Sequence, residues 1–320
     1  MLGRALKLRE RLGSLGPVAA LGAACVAFGV LSPQFLTLDN LALVLQQVMV
    51  LGLIVAGQTL VVLTAGIDLS CGLVMALASM VMGVVAFEAG LPWSVALLAG
   101  IAVAVGFGSL NGLLVARMRL PPFIVTLGTW NIAFALTQLV SGSRTISDLP
   151  RPLTLAGETF TLGGAHVAWG VPLMLAAFAI AHYVLRQTAA GRHVHAVGDN
   201  AEAARLAGIS TRRVLLFAYA AAGALYGVAA WLSLGRTGVA EPNAGQTENL
   251  DAITAVVLGG TSLFGGRGSM LGALAGTLIV GVLRNGLTLI GVSSLYQVLC
   301  TGVLVILAVA LDPQARRLAR

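Results

Sequence analysis

The chain has 320 residues, of which 58% are hydrophobic and only 10% are charged, and its mean hydropathy is +0.95. Soluble domains carry about a quarter charged residues, so this composition excludes an ordinary soluble protein and predicts an all-α polytopic membrane protein. The net charge of +7 and the pI near 10.2 would suit a nucleic-acid-binding protein, but the positions of the basic residues argue for membrane topology instead.

The N-terminal tail, residues 1–14, is basic, and an apolar run begins near residue 15. A cleaved signal peptide is the alternative to a retained first helix. No A-x-A cleavage site follows at the right distance, and Cys25 lacks the leucine three places earlier that a lipoprotein site requires. We therefore expect a retained helix and a cytoplasmic N-terminus.

Apolar segments recur along the chain and predict about ten transmembrane helices within one domain, residues 15–311, followed by a basic tail, residues 312–320. The predicted spans are residues 15–31, 41–63, 71–87, 95–115, 121–140, 167–185, 214–234, 252–263, 270–290 and 295–311. Because ten is an even number, the C-terminus is predicted to lie on the same side of the membrane as the N-terminus.

The lysines and arginines agree with this topology. Nearly all of them fall in segments that the ten-span arrangement places in the cytoplasm, and the exceptions are Arg144, Arg151, Arg236 and Arg284. Basic residues concentrate in the cytoplasmic loops of membrane proteins. The high pI is therefore explained by topology and by contact with the lipid bilayer, and we predict no nucleic-acid partner.

The longest polar run between two spans is residues 186–213, and its arginines place it in the cytoplasm. Within it, Asp199 is predicted to cap a short helix, with Glu202 as the acidic partner of a capping box. Gly208 is predicted to end that helix in a left-handed conformation. A helix of about two turns is unstable alone in water, so it needs a surface to pack on. Either another protein or the chain's own membrane domain can supply that surface.

Catalytic and metal-binding motifs are missing from the sequence. It contains no HExxH pattern, no paired catalytic carboxylates and no nucleophile elbow, so we predict that the chain is not an enzyme and has no catalytic or metal-binding residues. The glycine-rich run at residues 259–267 superficially resembles a phosphate-binding loop. That loop requires a lysine, and Lys7 is the only lysine in the chain, so we interpret the run as a tight turn between helices.

A polar segment, residues 64–70, interrupts the apolar run between the second and third predicted spans and contains Gly66, Asp68 and Ser70. A carboxylate at this depth can coordinate a cation or relay a proton, as in ion-coupled transporters. The favoured interpretation is a structural break, in which Asp68 caps the following helix and Ser70 shares that task.

One face of the fifth predicted span combines hydroxyl groups with aromatic rings at helical spacing; it carries Phe123, Thr126, Trp130, Phe134 and Thr137. Such a face suits the passage of a neutral polyol, because aromatic rings can lie against its C–H groups. The alternative is that the polar groups bond to neighbouring helices and hold the bundle together. The sequence leaves both interpretations open.

Several segments, in order, resemble the membrane permease subunits of bacterial ABC sugar importers, and within them the ribose-type permeases. They are LSPQFLTLDNLALVLQQ, LTAGIDLSCG, PPFIVTLGT, GDNAEAARLAGIS, LDAITAVVLGGTSLFGGRGS and RNGLTLIGVSSLYQVLCTGVLVILAVALD. The resemblance covers nearly all of the chain after about residue 30. It implies the importer-type permease fold, with two related, inverted halves, in the bacterial cytoplasmic (inner) membrane.

The resemblance also implies partners and site residues. A second permease copy completes the pathway, a cytoplasmic ATPase binds ATP and magnesium while this chain binds no cofactor, and a periplasmic or surface-tethered protein delivers the sugar. The ATPase-coupling helix matches Gly198, Asp199, Asn200, Glu202, Ala203, Ala204, Arg205 and Gly208. Asp199 replaces a glycine common in the family and is expected to strengthen the helix cap. The translocation pathway is expected to be flanked by Phe123, Thr126, Thr129 and Trp130.

The expected function is therefore that of the permease subunit of an ATP-driven importer, which moves a neutral monosaccharide such as ribose across the membrane by alternating access. The main alternative is an ion-coupled secondary transporter or channel for a small polar solute. A third hypothesis, a structural membrane subunit without a pathway, is weaker.

The substitution Asp68→Asn distinguishes the two main hypotheses. In an importer it should cost mainly stability, because the residue serves the helix break, whereas in an ion-coupled transporter it should abolish transport. The measurement is solute uptake by cells that express either form, with and without a protonophore at constant ATP. Uptake that is lost in the variant, and that the protonophore blocks in the wild type, would contradict the importer.

Overall fold

The computed structural model describes the backbone of residues 2–311 and the side chains of residues 16–307, so the predicted C-terminal tail lies outside the described residues. This part of the chain is mostly helical and contains one short β-hairpin. The elements are α1 (Leu2–Leu31), α2 (Leu38–Leu63), α3 (Cys71–Phe87), α4 (Trp93–Met118), α5 (Pro122–Ser141), α6 (Arg151–Thr154), β1 (Thr159–Leu162), β2 (Ala165–Ala168), α7 (Gly170–Gln187), α8 (Ala189–Asp199), α9 (Ala201–Leu206), α10 (Thr211–Thr237), α11 (Glu248–Leu258), α12 (Met270–Leu289) and α13 (Ser294–Leu311).

Within the described residues, six helices are long and apolar enough to cross a membrane: α2, α4, α5, α7, α10 and α12. Shorter apolar helical segments occupy residues 16–31, 71–87 and 294–307. Each of the ten predicted spans overlaps a helix, which confirms a polytopic helical protein. Six of the spans have membrane length in the structure, while the ten-span topology and the inverted repeat remain predictions.

The eighth predicted span, residues 252–263, differs most from its observed helix. α11 begins earlier, at Glu248, and ends earlier, at Leu258. Gly260 adopts a left-handed conformation with φ of 78°, which stops the helix two residues later. The run of apolar residues therefore extends past the end of the helix and into a turn.

α2 is the central helix of the bundle. Buried residues make up 72% of its most apolar stretch, compared with 22% for α4. It packs against α7, α10, α11 and α12, and Asp39 is the only charged residue in its sequence. A helix that is apolar on every side is expected to be enclosed by other helices, and this one is.

Small residues allow the central helices to approach closely. A side-chain carbon at Gly108 of α4 would lie 2.3 Å from the carbonyl oxygen of Tyr219 in α10. A carbon at Gly223 of α10 would lie 2.4 Å from the carbonyl oxygen of Ala104. Packing of this kind replaces the hydrophobic effect as a source of association between helices in lipid.

The predicted break between the second and third spans is present at residues 64–70, which lie between α2 and α3. The left-handed residue in this turn is Ala65, with φ of 62°, and not Gly66. The N–H of Gly66 donates to the carbonyl of Val61 and the N–H of Ala65 to that of Val62, which is the Schellman arrangement of a helix end. Gly66 is needed for space, because a side-chain carbon there would lie 2.7 Å from the Tyr219 hydroxyl.

The loop between α5 and α7 contains an antiparallel hairpin, β1–β2, that the sequence analysis missed. Its two turn residues, Gly163 and Gly164, have φ of 59° and 90°, as a type I′ turn requires.

Beside the hairpin, Arg151 forms a two-point ion pair with Glu158, at 2.7 and 2.9 Å. The hydrogen bond from Arg151 lowers the pKa of the Glu158 carboxyl. The β1–β2 hairpin corrects the prediction of an all-α fold.

Two polar pairs, each with a buried partner, join α12 to its neighbours. Arg284 forms an ion pair with Asp251 of α11, whose side chain is buried. Asn285 and Asn40 of α2 exchange amide hydrogen bonds of 3.0 and 3.1 Å near the start of α2. Polar side chains that bond across helices in this way hold membrane bundles together.

The close approach of α4 and α10 predicts a large difference between two glycines on α4. Gly108→Ala should destabilise the protein by about 1–3 kcal/mol, because its new methyl group meets the backbone of α10. Gly106→Ala is the matched control, since nothing lies within 4 Å of its side-chain position. The measurement is thermal unfolding in mild detergent. Equal midpoints for the two variants would show that the helices do not pack as described.

Candidate coupling surface and polar network at the helix break

The polar run at residues 186–213 folds into two helices where the sequence analysis predicted one. α8 follows α7 after Thr188, whose hydroxyl accepts a hydrogen bond from the N–H of Gly191 at 3.4 Å. α9 follows α8 after Asn200, which adopts an extended conformation with φ of −156°. Gly198 and Asp199 therefore end the first helix and do not begin the second.

Asn200, and not Asp199, caps α9, which corrects the sequence-based prediction. The Asn200 side-chain oxygen accepts a hydrogen bond of 2.9 Å from the N–H of Ala203. Only a residue with an extended backbone can place its side chain over the first turn, and Asp199 is still helical. With Asn200 as the cap, Glu202 is the second helical residue, one position too early for a capping box.

Glu202 bonds along the helix instead of back to its start. Arg205 donates to both of its carboxylate oxygens, at 3.0 and 2.6 Å. The hydrogen bond from Arg205 lowers the pKa of the Glu202 carboxyl. Both side chains are well exposed, so the pair shapes the surface of α9 more than it stabilises the fold.

The end of α9 is built as predicted. Gly208 is left-handed, with φ of 84°. The N–H of Ile209 donates to the carbonyl of Ala204 and the N–H of Gly208 donates to that of Arg205, each at 3.0 Å. These two bonds form a Schellman motif, which fixes the short helix at its C-terminal end.

The predicted coupling residues divide into two groups. Gly198 and Ala204 are buried against the chain's own membrane domain. The others are exposed: Asp199, Asn200, Glu202, Ala203, Arg205 and Gly208. Leu206 was missed by the sequence analysis, although it is 74% exposed and is the most prominent apolar side chain of α9. We call the exposed residues 199–208 the coupling surface.

Three backbone segments meet directly beneath the coupling surface. The N–H of Gly266 donates to the carbonyl of Leu63, the last residue of α2, at 3.0 Å. A side-chain carbon at Gly198 would lie 1.8 Å from that same carbonyl oxygen. The ring nitrogen Nδ1 of His195 lies 3.1 Å from the carbonyl oxygen of Gly266. We call Leu63, Gly198 and Gly266 the backbone junction, and it confirms that the glycine-rich run forms a tight turn.

A buried hydrogen-bond chain begins at the adjacent helix break. Asp68 Oδ1 accepts from the N–H and the hydroxyl of Ser70, at 2.9 and 2.6 Å. The Ser70 hydroxyl accepts from Asn111 of α4 at 3.0 Å, and Thr129 of α5 donates to the Asn111 carbonyl oxygen at 2.8 Å. Asp68 thus holds the break, but neither Asp68 nor Ser70 makes a capping bond to the first turn of α3, contrary to the prediction.

The backbone of the break is bound by further helices. Thr126 of α5 donates to the carbonyl of Ile67 at 3.1 Å, and Asn249 of α11 donates to the carbonyl of Leu69 at 3.2 Å. The amide of Gln58 in α2, oriented so that both of its polar atoms are satisfied, bonds to the N–H and carbonyl of Asp68. Each residue from 67 to 70 therefore receives a polar contact from another helix, and we call these four residues the break hub.

The predicted pathway residues have different environments. Thr126 and Thr129 are buried, and their hydroxyls bond to the break hub and to Asn111. This matches the interpretation of such groups as bonds between helices. Trp130 is partly buried and stacks on Phe134, with ring centroids 6.2 Å apart, while Phe123 is 52% exposed. Their part in a pathway stays a prediction.

Among the described residues, no group of three or more histidine, cysteine, aspartate or glutamate side chains is placed to hold a metal ion. The alternative role of Asp68, cation coordination or proton relay, stays untested; its Oδ1 accepts hydrogen bonds from Ser70.

Comparison with known proteins identifies the family. Residues 40–309 match the family described as "Branched-chain amino acid transport system / permease component". The chain belongs to this permease family. The relatives below include import permeases for sugars, so the family expected from the motifs is confirmed, and its members are transport components and not enzymes.

The curated relatives match along almost their whole length. The chain is 45% identical to a fructose import permease protein of Rhizobium meliloti, over 95% of this chain and 86% of the relative. It is 39% identical to a ribose import permease protein of Bacillus subtilis, over 93% and 92%. It is 34% identical to a D-allose transport system permease protein of Escherichia coli, over 89% and 87%. No solved structure matches the chain.

The assignment of the helix cap predicts unequal effects at two neighbouring positions. Asn200→Ala should destabilise α9 by about 1 kcal/mol, because the N–H of Ala203 loses its acceptor. Asp199→Ala, the control, should have little effect, since Asp199 lies inside the last turn of α8. Hydrogen exchange of the amides in residues 201–206 measures both. A larger effect from Asp199→Ala would restore the original capping assignment.

Proposed function

We propose that this chain is the membrane-spanning permease subunit of an ATP-driven importer for a neutral monosaccharide of the kind named in its relatives: fructose, ribose or allose. The observation that carries this proposal is the match to sugar import permeases over at least 86% of both chains. A partial match would be compatible with a shared module in a protein of another class. The relatives support import driven by a partner over the ion-coupled alternative.

The ATP is bound by another subunit in this proposal. The sequence offers no phosphate-binding loop with lysine, as Lys7 is the only lysine in the chain. ATP and magnesium therefore belong to a cytoplasmic ATPase, and a periplasmic or surface-tethered binding protein delivers the sugar. We infer ten spans, with both termini in the cytoplasm, in which α1, α3, α11 and α13 complete the six helices of membrane length.

The coupling surface is the proposed ATPase contact. It is exposed, it is fixed at both ends by the Asn200 cap and the Gly208 turn, and it presents Leu206 to the cytoplasm. A cavity of about 420 Å³ beside it is lined by Arg119, Arg205 and Arg212. A complementary groove on the ATPase would combine an apolar pocket for Leu206 with acidic side chains toward these arginines.

The proposed pathway lies between two copies of the permease, along the exposed side of α5. Phe123 is exposed, and so is Asn131, whose side-chain nitrogen donates to the carbonyl of Leu127 at 3.0 Å. An amide oxygen facing lipid would lack a partner, which is costly in hydrocarbon. A position at the boundary with the second copy gives this amide water or sugar to bind and supports a homodimer.

Transport would proceed by alternating access. Closure of the ATPase pair on ATP brings the two coupling surfaces together, and the helices around the pathway tilt in response. The permease needs only weak polar contacts with the sugar, because selectivity resides mainly in the binding protein. Its task is to expose the pathway to one side of the membrane at a time.

A charge on the coupling surface tests this assignment. Ala203→Asp should abolish uptake of radiolabelled fructose, ribose and allose and the co-purification of the ATPase, while the amount of folded permease in the membrane stays the same. The reason is that a carboxylate buried in the contact loses its hydration. Ala189→Asp is the matched control, because Ala189 is exposed at the start of α8, where a negative charge is tolerated. Unchanged uptake in Ala203→Asp would count against the assignment.

A further inference from the structure

The backbone junction and the break hub lie on one short stretch of chain. Leu63 belongs to the junction, Ile67 begins the hub, and only Thr64, Ala65 and Gly66 separate them. The Schellman turn at the end of α2 fixes these three residues. The glycine-rich turn also reaches them, because a side-chain carbon at Gly265 would lie 2.7 Å from the backbone nitrogen of Ala65. Because these three residues are fixed, a displacement of the backbone junction also displaces the break hub.

The contacts at the junction involve backbone and not flexible side chains. The Leu63 carbonyl is contacted closely by Gly198 and accepts a hydrogen bond from the N–H of Gly266. No flexible side chain lies between these backbone segments that could change rotamer when one of them shifts. Close-packed backbone segments move together or separate as units. The coupling surface begins one residue after Gly198, so movement of that surface acts on the end of α2.

Beyond the junction, the hub is bonded to two membrane helices, α4 and α5. Asn111 of α4 bonds to Ser70 and to Thr129 of α5, so one side chain links the break to two membrane helices. It is fully buried. A hydrogen bond in such an interior is stronger than in water, and leaving its partners unpaired is costly.

We propose that the break hub transmits movement of the coupling surface to α4 and α5, and that Asn111 is a positioning residue for transport. This inference rests on the proposed function, because it assigns the route by which ATPase closure reaches the pathway helices. In this proposal the coupling surface moves relative to the membrane helices about the break at residues 64–70. The hydrogen bonds of the hub make α4 and α5 move together with the break.

The charge of Asp68 is not required for this route. Its Oδ1 accepts both bonds from Ser70, and its Oδ2 has no hydrogen-bond partner within the described part of the chain. An asparagine can keep the acceptor at Oδ1. Asp68→Asn should therefore preserve coupling at some cost in stability, whereas loss of the Asn111 amide breaks the chain of bonds itself.

The test uses the full complex of permease, ATPase and binding protein in liposomes, with radiolabelled fructose, ribose and allose as probes. The quantity measured is the amount of sugar taken up per ATP hydrolysed, together with the thermal unfolding midpoint of each complex. The variants are Asn111→Ala and the smaller change Ser70→Ala, which removes the hydroxyl between Asp68 and Asn111. The control is Asn285→Ala, which removes a buried amide pair at the opposite end of α2.

The proposal predicts that Asn111→Ala lowers the sugar moved per ATP by about fivefold or more, the usual range of an energetic coupling between sites, while basal ATP hydrolysis is unchanged. Ser70→Ala should lower it in the same direction, and Asn285→Ala should keep the wild-type ratio at a similar loss of unfolding midpoint. The role of the hub would be overturned if Asn111→Ala and Ser70→Ala moved as much sugar per ATP as the wild type. It would also be overturned if Asn285→Ala lowered the sugar moved per ATP as much as Asn111→Ala does. A wild-type complex that takes up none of radiolabelled fructose, ribose and allose would instead contradict the proposed function.

Discussion

The need to satisfy backbone polar groups at the break between α2 and α3 constrains the whole bundle. Residues 64–70 are not helical, yet Thr64, Gly66, Asp68 and Ser70 are buried, so the backbone N–H and C=O groups there need partners within the protein. Side chains from α2, α5 and α11 supply backbone partners, and Asn111 of α4 donates to the Ser70 hydroxyl. The positions of these helices around the break follow from that requirement, and a bundle without the break would not need such polar side chains at its centre.

The same constraint connects structure with function. Hydrogen bonds from four helices hold the break in place. It is adjacent to the backbone junction of Leu63, Gly198 and Gly266. The exposed coupling surface lies on the other side of that junction. In the proposed route, a partner that moves the coupling surface acts first on the end of α2 and the break, and then on the helices proposed to line the pathway.

Much of the fold could be predicted from the sequence, because apolar runs and basic loops report directly on lipid and topology. The left-handed end at Gly208 was also predictable, since glycine signals it locally. The cap was not: Asp199 and Asn200 are both good caps, and only the length of α8 decides between them. Thr126 and Thr129 share a face with Trp130, but whether that face meets a pathway or the break depends on contacts with residues far away in sequence. The Gly163–Gly164 turn signal was present and overlooked.

The measurement that tests the central claim most directly is purification of the wild-type chain from its native host in mild detergent, followed by mass identification of the proteins that accompany it. We predict a cytoplasmic ATPase with Walker motifs in the purified complex. A chain that purifies alone, and that moves solute into liposomes under an ion gradient without ATP, would contradict the account.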